Sequence, residues 1–345
     1  MIPKSIGQWF SDRLGTGALR DRMKERLVPR NTPTHYLGGL LLFLFVIQVV
    51  SGILLLLPYR PSPALAHASI LNIVGRVPYG SLVRGVHLWT SHLFVLVLAA
   101  QIFSMMLLRR FTAPRELVWL SGLLLLGLGV GMAFTGAILP WNQNAYFQAL
   151  VSSKMAGETP LIGHFLERFL RGGEEVSTWT LHHAFGFHVG VLPATVTLII
   201  GLHVFFVIRA MKARGTIAVP DEPKIPLYPD FAVRLAVLCT GALVVVITLA
   251  TFREPALGVA ANPTLPAPAG ITPPWYFLFL HQILKSTPAH LLGVVGSKFV
   301  GGGLSLVVLG LVVLPFVDKR GSRFSFWAAL TLLVVWLVLT LDVLF

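Results

Sequence analysis

The sequence has little charge, very few acidic residues and almost no cysteine. Charged side chains make up 12% of its 345 residues against 55% hydrophobic ones, and only 14 residues are Asp or Glu. This balance excludes an ordinary soluble domain and is typical of an integral membrane protein. The single cysteine, Cys239, excludes a disulfide within the chain and any cofactor attachment that needs two thiols. The first 35 residues lack an apolar core, so we expect no cleavable signal peptide.

Seven apolar stretches are long enough to cross a membrane as helices. The predicted spans are 36–57, 83–108, 117–139, 185–210, 231–252, 298–314 and 324–344. The sixth is the shortest, and we expect it to close at Pro315 because proline ends or kinks a helix.

A proline-rich stretch at 215–230 indicates an extended linker that divides the chain. We therefore predict an all-α integral membrane protein. It begins with an amphipathic cytoplasmic segment at 1–35 and a four-helix bundle at 36–214, and a three-helix domain at 231–345 follows the linker. The outer connections at 140–184 and 253–298 are long and carry short helical patterns of their own, as functional loops usually do.

The net charge of +13 is a topology signal and not a nucleic-acid surface. Basic residues precede the first span and follow the second, fourth and sixth, so these segments share one side if every span crosses once. The positive-inside rule then places the N-terminus in the cytoplasm and the C-terminus outside, as expected for a bacterial cytoplasmic membrane protein. The segments richest in Lys and Arg are 4–30, 109–115, 209–224 and 319–323.

Histidines recur inside two of the predicted spans at matched spacing. His188 and His203 lie fifteen residues apart in the fourth span, and His87 and Gln101 lie fourteen apart in the second. Such spacing corresponds to about 21 to 22 Å along a helix, so each pair samples both halves of the membrane. Histidine inside a membrane helix usually binds a metal or ligand or relays protons, and imidazole is a common axial ligand of haem iron.

Glycines repeat this spacing in the first and third spans. Gly38 and Gly52 are fourteen residues apart, and so are Gly122 and Gly136. Glycine leaves room where a flat group must lie against a helix backbone. Close packing between helices is the other use of such glycines, and it is common in membranes. Four helices that share one depth interval favour two porphyrin-sized slots at two depths.

Four short motifs are spread along essentially the whole chain. They are Arg84-Gly-Val-His87, Thr135-Gly136 with Leu139-Pro140-Trp141-Asn142-Gln143, His188 to Pro193 with His203, and Pro273-Pro274-Trp275-Tyr276. In these motifs and their order the sequence resembles cytochrome b of the Rieske–cytochrome b quinol oxidoreductases. Seven spans and a fifteen-residue histidine spacing are similar to the plastoquinol-oxidising branch, with its two subunits fused. In that branch a cysteine before the first-span Leu-Gly-Gly holds an extra haem, and Tyr36 stands there, so no covalent haem is expected.

The resemblance implies electron transfer through two b-type haems. Quinol would be oxidised on the outer side, with one electron leaving to a Rieske iron–sulfur protein and a c-type cytochrome subunit. The other electron would cross to a quinone on the cytoplasmic side, in a homodimeric complex within the lipid membrane. His87 and His188 would ligate the outer haem, with Arg84 as a propionate partner, and His203 and Gln101 would face the inner haem.

The quinol-site motif departs from the family pattern at its second residue. The family has a glutamate that is thought to accept a proton from quinol, and Pro274 stands in its place within Pro273-Pro274-Trp275-Tyr276. His281 lies seven residues after Pro274, on the same face of a helix, and its ordinary pKa of about 6.5 suits proton transfer. His281 is therefore a candidate substitute base, and a plain interfacial histidine is the alternative.

The inner haem position departs as well, because Gln101 replaces the histidine expected opposite His203. Glutamine is a poor iron ligand, yet Gly38 and Gly122 still leave room for the group. We expect the inner haem to be retained with His203 as its axial ligand. Two alternatives stay open: a single-haem quinone-interacting membrane anchor, and a haem-free transporter in which the histidines relay protons.

Overall fold

The computed structural model describes residues 15–30, 33–214, 223–254, 256–291 and 293–344, together with residues 9, 11 and 13. Within these residues, seven helices are long and apolar enough to cross a membrane, which confirms the predicted spans. They are α2 (Pro33–Leu56), α4 (Gly80–Leu107), α5 (Glu116–Ile138), a fourth span over Thr178–Ala213, a fifth over Leu227–Phe252, α12 (Gly296–Val317) and α13 (Arg323–Leu344).

The fourth and fifth spans each contain a π turn. The fourth runs as α8 (Thr178–Gly186), the π turn Phe187–Val191 and α9 (Leu192–Arg214). The fifth begins with a π turn at Leu227–Phe231 and continues as α10 (Ala232–Phe252). Pro193 follows the first π turn and has no amide hydrogen to donate, so regular hydrogen bonding cannot continue through this point.

Shorter elements lie between the spans. The helix inside the first outer loop was not predicted, and neither were the two small strand pairings. One of these pairings joins the N-terminal segment to the linker, with Val28 opposite Ile225. The short helices are α1 (Thr16–Glu25), α3 (Ala66–Gly75), α6 (Gln143–Gly157), α7 (Gly163–Arg171) and α11 (Leu278–Ser286), which follows a 3-10 turn at Trp275–Phe277. The paired strands are β1 (Leu27–Pro29) with β2 (Lys224–Pro226), and β3 (His290–Leu291) with β4 (Val294–Val295).

The sixth span continues past its proline, and a neighbouring helix explains how. Proline at 315 removes the amide that would bond the Leu311 carbonyl one turn earlier. The indole Nε1 of Trp119, on α5, donates to that carbonyl at 2.7 Å. Because a backbone group in a membrane must be satisfied within the protein, this bond lets α12 run to Val317 and fixes it against α5. The expectation that the span closes at Pro315 was therefore wrong.

Helix α4 is the centre of the bundle. It packs against α2 and α5 in the front half and against α10 and α13 in the back half, while α5 packs against α9 and α12. A buried cluster under the outer loops includes Tyr59, Phe134 and Trp141, and a second cluster at the other end includes Met105 and Trp119. The back-half helices thus brace the two helices, α4 and α5, that carry Arg84, His87, Gln101, Gly122 and Gly136.

Candidate functional site

His87 and His188 face one another across the half of the bundle that the charge distribution predicts to be the outer one. Their ring centres are 6.2 Å apart and their planes lie at 79°. Two imidazoles bound to one metal ion through bonds of about 2.0 to 2.1 Å place their ring centres about 6 Å apart. The spacing of this pair therefore fits two axial ligands on the two sides of one iron.

A hydroxyl group fixes the proton on the His87 ring. Ser51 Oγ lies 2.9 Å from His87 Nδ1 and 2.6 Å from the Ile47 carbonyl. The hydroxyl has a single hydrogen, and the carbonyl can only accept, so the Ser51 hydroxyl donates to Ile47 and accepts from His87 Nδ1. The hydrogen of the neutral imidazole then sits on Nδ1, and the lone pair of Nε2 is left for a metal.

The same arrangement occurs at the other two candidate histidines. Ser121 Oγ lies 2.8 Å from His203 Nδ1 and donates to the Leu117 carbonyl at 2.6 Å. His188 Nδ1 lies 3.0 Å from the Met132 carbonyl, with Thr135 Oγ1 at 3.2 Å. A carbonyl only accepts, so His188 also carries its hydrogen on Nδ1. All three imidazoles thus have the tautomer that a ligand through Nε2 requires.

Three of the four predicted glycines lie directly against these rings. A methyl group added to Gly136 would approach His188 Cε1 to 2.7 Å, and one on Gly52 would approach His87 Cε1 to 3.3 Å. A methyl on Gly122 would lie 3.8 Å from His203 Cε1. Each glycine directly follows the hydroxyl residue that holds its histidine. The structure therefore has three units, each made of a hydroxyl, a glycine and an imidazole.

The fourth position keeps its glycine and lacks the other two parts. Leu37 precedes Gly38 and has no hydroxyl, and Gln101 occupies the histidine place on α4. A methyl on Gly38 would meet nothing within 4 Å. Gln101 Oε1 is fully enclosed and has no hydrogen-bond partner among the described residues. The residues at the outer position thus fit a haem with two protein ligands, and those at the inner position fit one with a single imidazole.

The π turn explains why the two histidine spacings differ by one residue. A π turn carries one residue more than the corresponding α turn. The turn at Phe187–Val191 includes His188, and the amide of Leu192 closes it by bonding the Phe187 carbonyl. The extra residue in the fourth span is absorbed there, so fifteen residues in this span match fourteen in α4. Fourteen residues are close to four full helical turns, which keeps both positions on one side of each helix.

Arg84 lies near the outer pair, at the start of α4. It borders a cavity of about 220 Å³ that Glu254 also lines. Ser81 Oγ donates to Glu254 Oε1 at 2.6 Å. A guanidinium beside a cavity at this end of the bundle is suited to bind an anionic group such as a carboxylate.

The polar residues of the predicted turn at 139–143 hold the outer connection in place. Asn142 caps α6, with its Oδ1 accepting from the Ala145 amide at 2.8 Å, and its amide nitrogen donates to the Leu257 carbonyl. Gln143 exchanges hydrogen bonds with the backbone of Asn262 at 2.8 and 3.1 Å. These bonds attach the segment that leads to Pro273 to the end of the third span.

Trp275 of the proline-rich motif reaches α4. Its indole Nε1 donates to His92 Nδ1 at 3.0 Å, and its ring centre lies 6.0 Å from that of Trp336 on α13. Tyr276 is buried, and burial raises the pKa of its phenol, so it keeps its hydrogen. His92 lies five residues after His87 on α4, about 140° around the helix, so it does not share the face of His87, and its contact with the motif has no signal in the sequence spacing.

His281 lies on α11, half-buried, after the motif. Its Nδ1 is enclosed without a hydrogen-bond partner among the described residues. Burial, and then the charge of Lys285, lower the pKa of His281 below its ordinary value. The imidazole is therefore neutral and able to accept a proton near neutral pH.

These features define a mostly helical membrane protein whose candidate imidazoles lie as one pair and one single residue at two depths of a four-helix bundle. The family model of cytochrome b/b6/petB matches residues 23–211, and that of cytochrome b(C-terminal)/b6/petD matches residues 260–345. The chain belongs to the cytochrome b family, with both family regions in one polypeptide.

Two curated relatives and one solved structure illustrate the similarity. The cytochrome bc complex cytochrome b subunit of Chlorobaculum thiosulfatiphilum is 36% identical over 332 residues, which are 92% of this chain and 75% of that protein. Cytochrome b of Cereibacter sphaeroides is 28% identical over 363 residues, 96% of this chain and 80% of that protein. A chain of a hyperthermophilic respiratory Complex III superposes with a TM-score of 0.85 at 26% identity, covering 99% of this chain and 91% of that chain.

Proposed function

We propose that this chain is the cytochrome b subunit of a bc-type quinol oxidoreductase complex, oxidising quinol at the outer face of the membrane. The observation that carries the proposal is the set of three histidines at two depths, each with its Nε2 lone pair left for iron. A proton-relaying transporter would not need two imidazoles at the spacing of two ligands to one metal ion, with a glycine beside each ring.

His87 and His188 would hold the outer haem, and His203 the inner one. The two b-type haems, when bound, supply one-electron carriers at two depths of the membrane. Ser51, Ser121 and the Met132 carbonyl keep the imidazoles in the ligating tautomer, and the glycines beside them leave space for the rings. Arg84 would pair with a propionate of the outer haem.

The outer quinol site would be formed around Pro273, Pro274, Trp275 and Tyr276. Tyr276 keeps its hydroxyl hydrogen and can donate a hydrogen bond to a quinone oxygen. Pro274 has no titratable group, so we assign proton acceptance to the neutral His281. His92 holds the motif against α4 through the Trp275 indole.

The partners and orientation follow from the same proposal. One electron would leave to a Rieske iron–sulfur protein and then to a c-type cytochrome, within a homodimeric complex. The basic segments would face the bacterial cytoplasm, with the N-terminus inside and the C-terminus outside. The domain division at the linker 215–230 is retained as a proposal.

The test is quinol oxidation by the intact complex, purified from membranes with its partner subunits. We expect quinol-dependent reduction of an added c-type cytochrome, abolished by His188→Ala. A complex that binds haem but does not oxidise quinol would instead support the single-haem membrane anchor, a reading that the loss of histidine at Gln101 favours. Finding no haem would support a transporter.

A further inference from the structure

We propose that the inner haem has an open axial position beside Gln101, which binds small uncharged ligands such as carbon monoxide or water. The inference rests on the proposed function, because it takes the inner slot to hold a haem. The open position is the one on the α4 side of that slot, where Gln101 stands in place of a histidine.

The first argument is the comparison of the four glycine positions within this one chain. At Gly52, Gly122 and Gly136 a preceding hydroxyl and a facing imidazole occur together. At Gly38 both are absent, while the glycine and the open space beside it remain. With Gln101 on α4, a hydroxyl at residue 37 would have no imidazole to orient. The two polar parts are therefore missing together, as expected if no axial ligand is held on this side.

The second argument is the state of the Gln101 side chain. Its amide oxygen is enclosed in the bundle and accepts no hydrogen bond from the described residues. Buried polar atoms are nearly always satisfied in proteins, so an unpartnered one calls for a missing donor. The proposed ligand, when it is water, would supply the O–H donor that this oxygen lacks. A neutral amide oxygen is a weak iron ligand, so a direct contact with iron would also be readily displaced.

The third argument is the apolar character of the inner position. Ile102, next to Gln101 on α4, is buried, and a methyl group added to Gly122 would lie 3.4 Å from its Cδ1 and 3.8 Å from His203 Cε1. Leu37 stands before Gly38 on the facing helix. Apolar surroundings with one amide select small neutral molecules over anions, because an ion would lose its hydration without a counter-charge.

Carbon monoxide binding to the purified, reduced complex tests the inference. We expect about one carbon monoxide per chain, with the outer haem unreactive, and a high-spin signal from the ferric protein. Gln101→His should supply the missing imidazole, abolish carbon monoxide binding and convert the high-spin signal to low-spin. Gln101→Leu is the matched control and should still bind carbon monoxide, because it adds no ligand.

The outcomes separate this inference from the proposed function. Two haems per chain, both low-spin and unreactive to carbon monoxide, would overturn the open position and leave the electron-transfer function intact. One haem per chain, lost in His188→Ala, would overturn the inference and support the single-haem anchor. The low-spin spectrum of the outer haem reports in every variant whether the bundle has folded.

Discussion

The outer slot lies beside His87 and His188, and the inner slot lies beside His203 and Gln101. The two are built from the same kinds of residue except on one side of the inner slot. The outer slot has two imidazoles whose ring centres are 6.2 Å apart, each held by an acceptor on the facing helix. The inner slot has His203 held by Ser121, and across from it stand Gln101 and the Leu37-Gly38 pair. At the inner position the glycine thus stands without a histidine or a preceding hydroxyl. Under the proposed function, room for the haem and ligation of its iron would be separate properties of the sequence.

Removing one histidine at a time should give the largest difference between the slots. His188→Ala leaves His87 alone, and we expect loss of the low-spin outer haem and at least a hundredfold loss of quinol oxidation. His203→Ala removes the imidazole assigned to the inner slot, so the inner haem should be lost and the outer one kept. Haem spectra of the two purified variants measure this. Retention of both haems in His203→Ala would contradict the assignment of the inner ligand.

Adding a methyl group to the glycines should have the next largest effect. In Gly136→Ala the new methyl would lie 2.7 Å from His188 Cε1, so the ring must move and outer haem should be lost. Overpacking of this kind costs about 1 to 3 kcal/mol. Thermal unfolding and haem content measure it.

Gly38→Ala is the matched change on the inner side. Its methyl meets nothing within 4 Å, so the unfolding temperature of haem-free protein should not change. If the porphyrin lies in this space, the substitution should still lower the inner haem content. A Gly38→Ala protein with full inner haem would show that the group does not lie against this glycine.

Removing the hydroxyls should have smaller effects with a defined order. Ser121→Ala takes away the acceptor of His203 Nδ1, and an unsatisfied buried donor costs about 1 to 3 kcal/mol. Thr135→Val leaves His188 its bond to the Met132 carbonyl, whereas Ser51→Ala removes the hydroxyl beside His87 Nδ1. We therefore expect Thr135→Val to weaken haem retention least and Ser121→Ala most, because the proposed inner haem depends on His203 alone, as measured by loss of haem during dilution. Equal losses in all three variants would contradict this order.

The smallest expected effect concerns pH and the outer quinol site. Burial and Lys285 lower the pKa of His281, so its neutral, accepting form persists as the pH falls somewhat below 6.5 and is lost at lower pH. Quinol oxidation should decline on the acid side through this lowered pKa. His281→Asn should reduce the rate severalfold and remove that decline. An unchanged pH–rate profile would exclude His281 as the proton acceptor.

Sequence alone predicted the spans and the positions of the histidines along them. Both follow from the length of an apolar stretch and the fixed rise per residue of a helix, and neither depends on how the helices pack. It could not predict the π turn at His188, since periodicity assumes a uniform helix, and the one-residue difference in spacing was the only sign. The hydroxyl acceptors did leave a signal, a Ser or Thr before three of the four glycines. The bonds from Trp119 to Leu311 and from Trp275 to His92 join distant parts of the chain and have no local pattern.

The haem content of the purified complex tests the central claim most directly. The haemochrome assay, normalised to the amount of this chain, measures how many haems its two slots hold. We expect two non-covalent b-type haems per chain, one for the histidine pair and one for His203. A single haem per chain would contradict the claim that the inner slot keeps its haem after the change to Gln101.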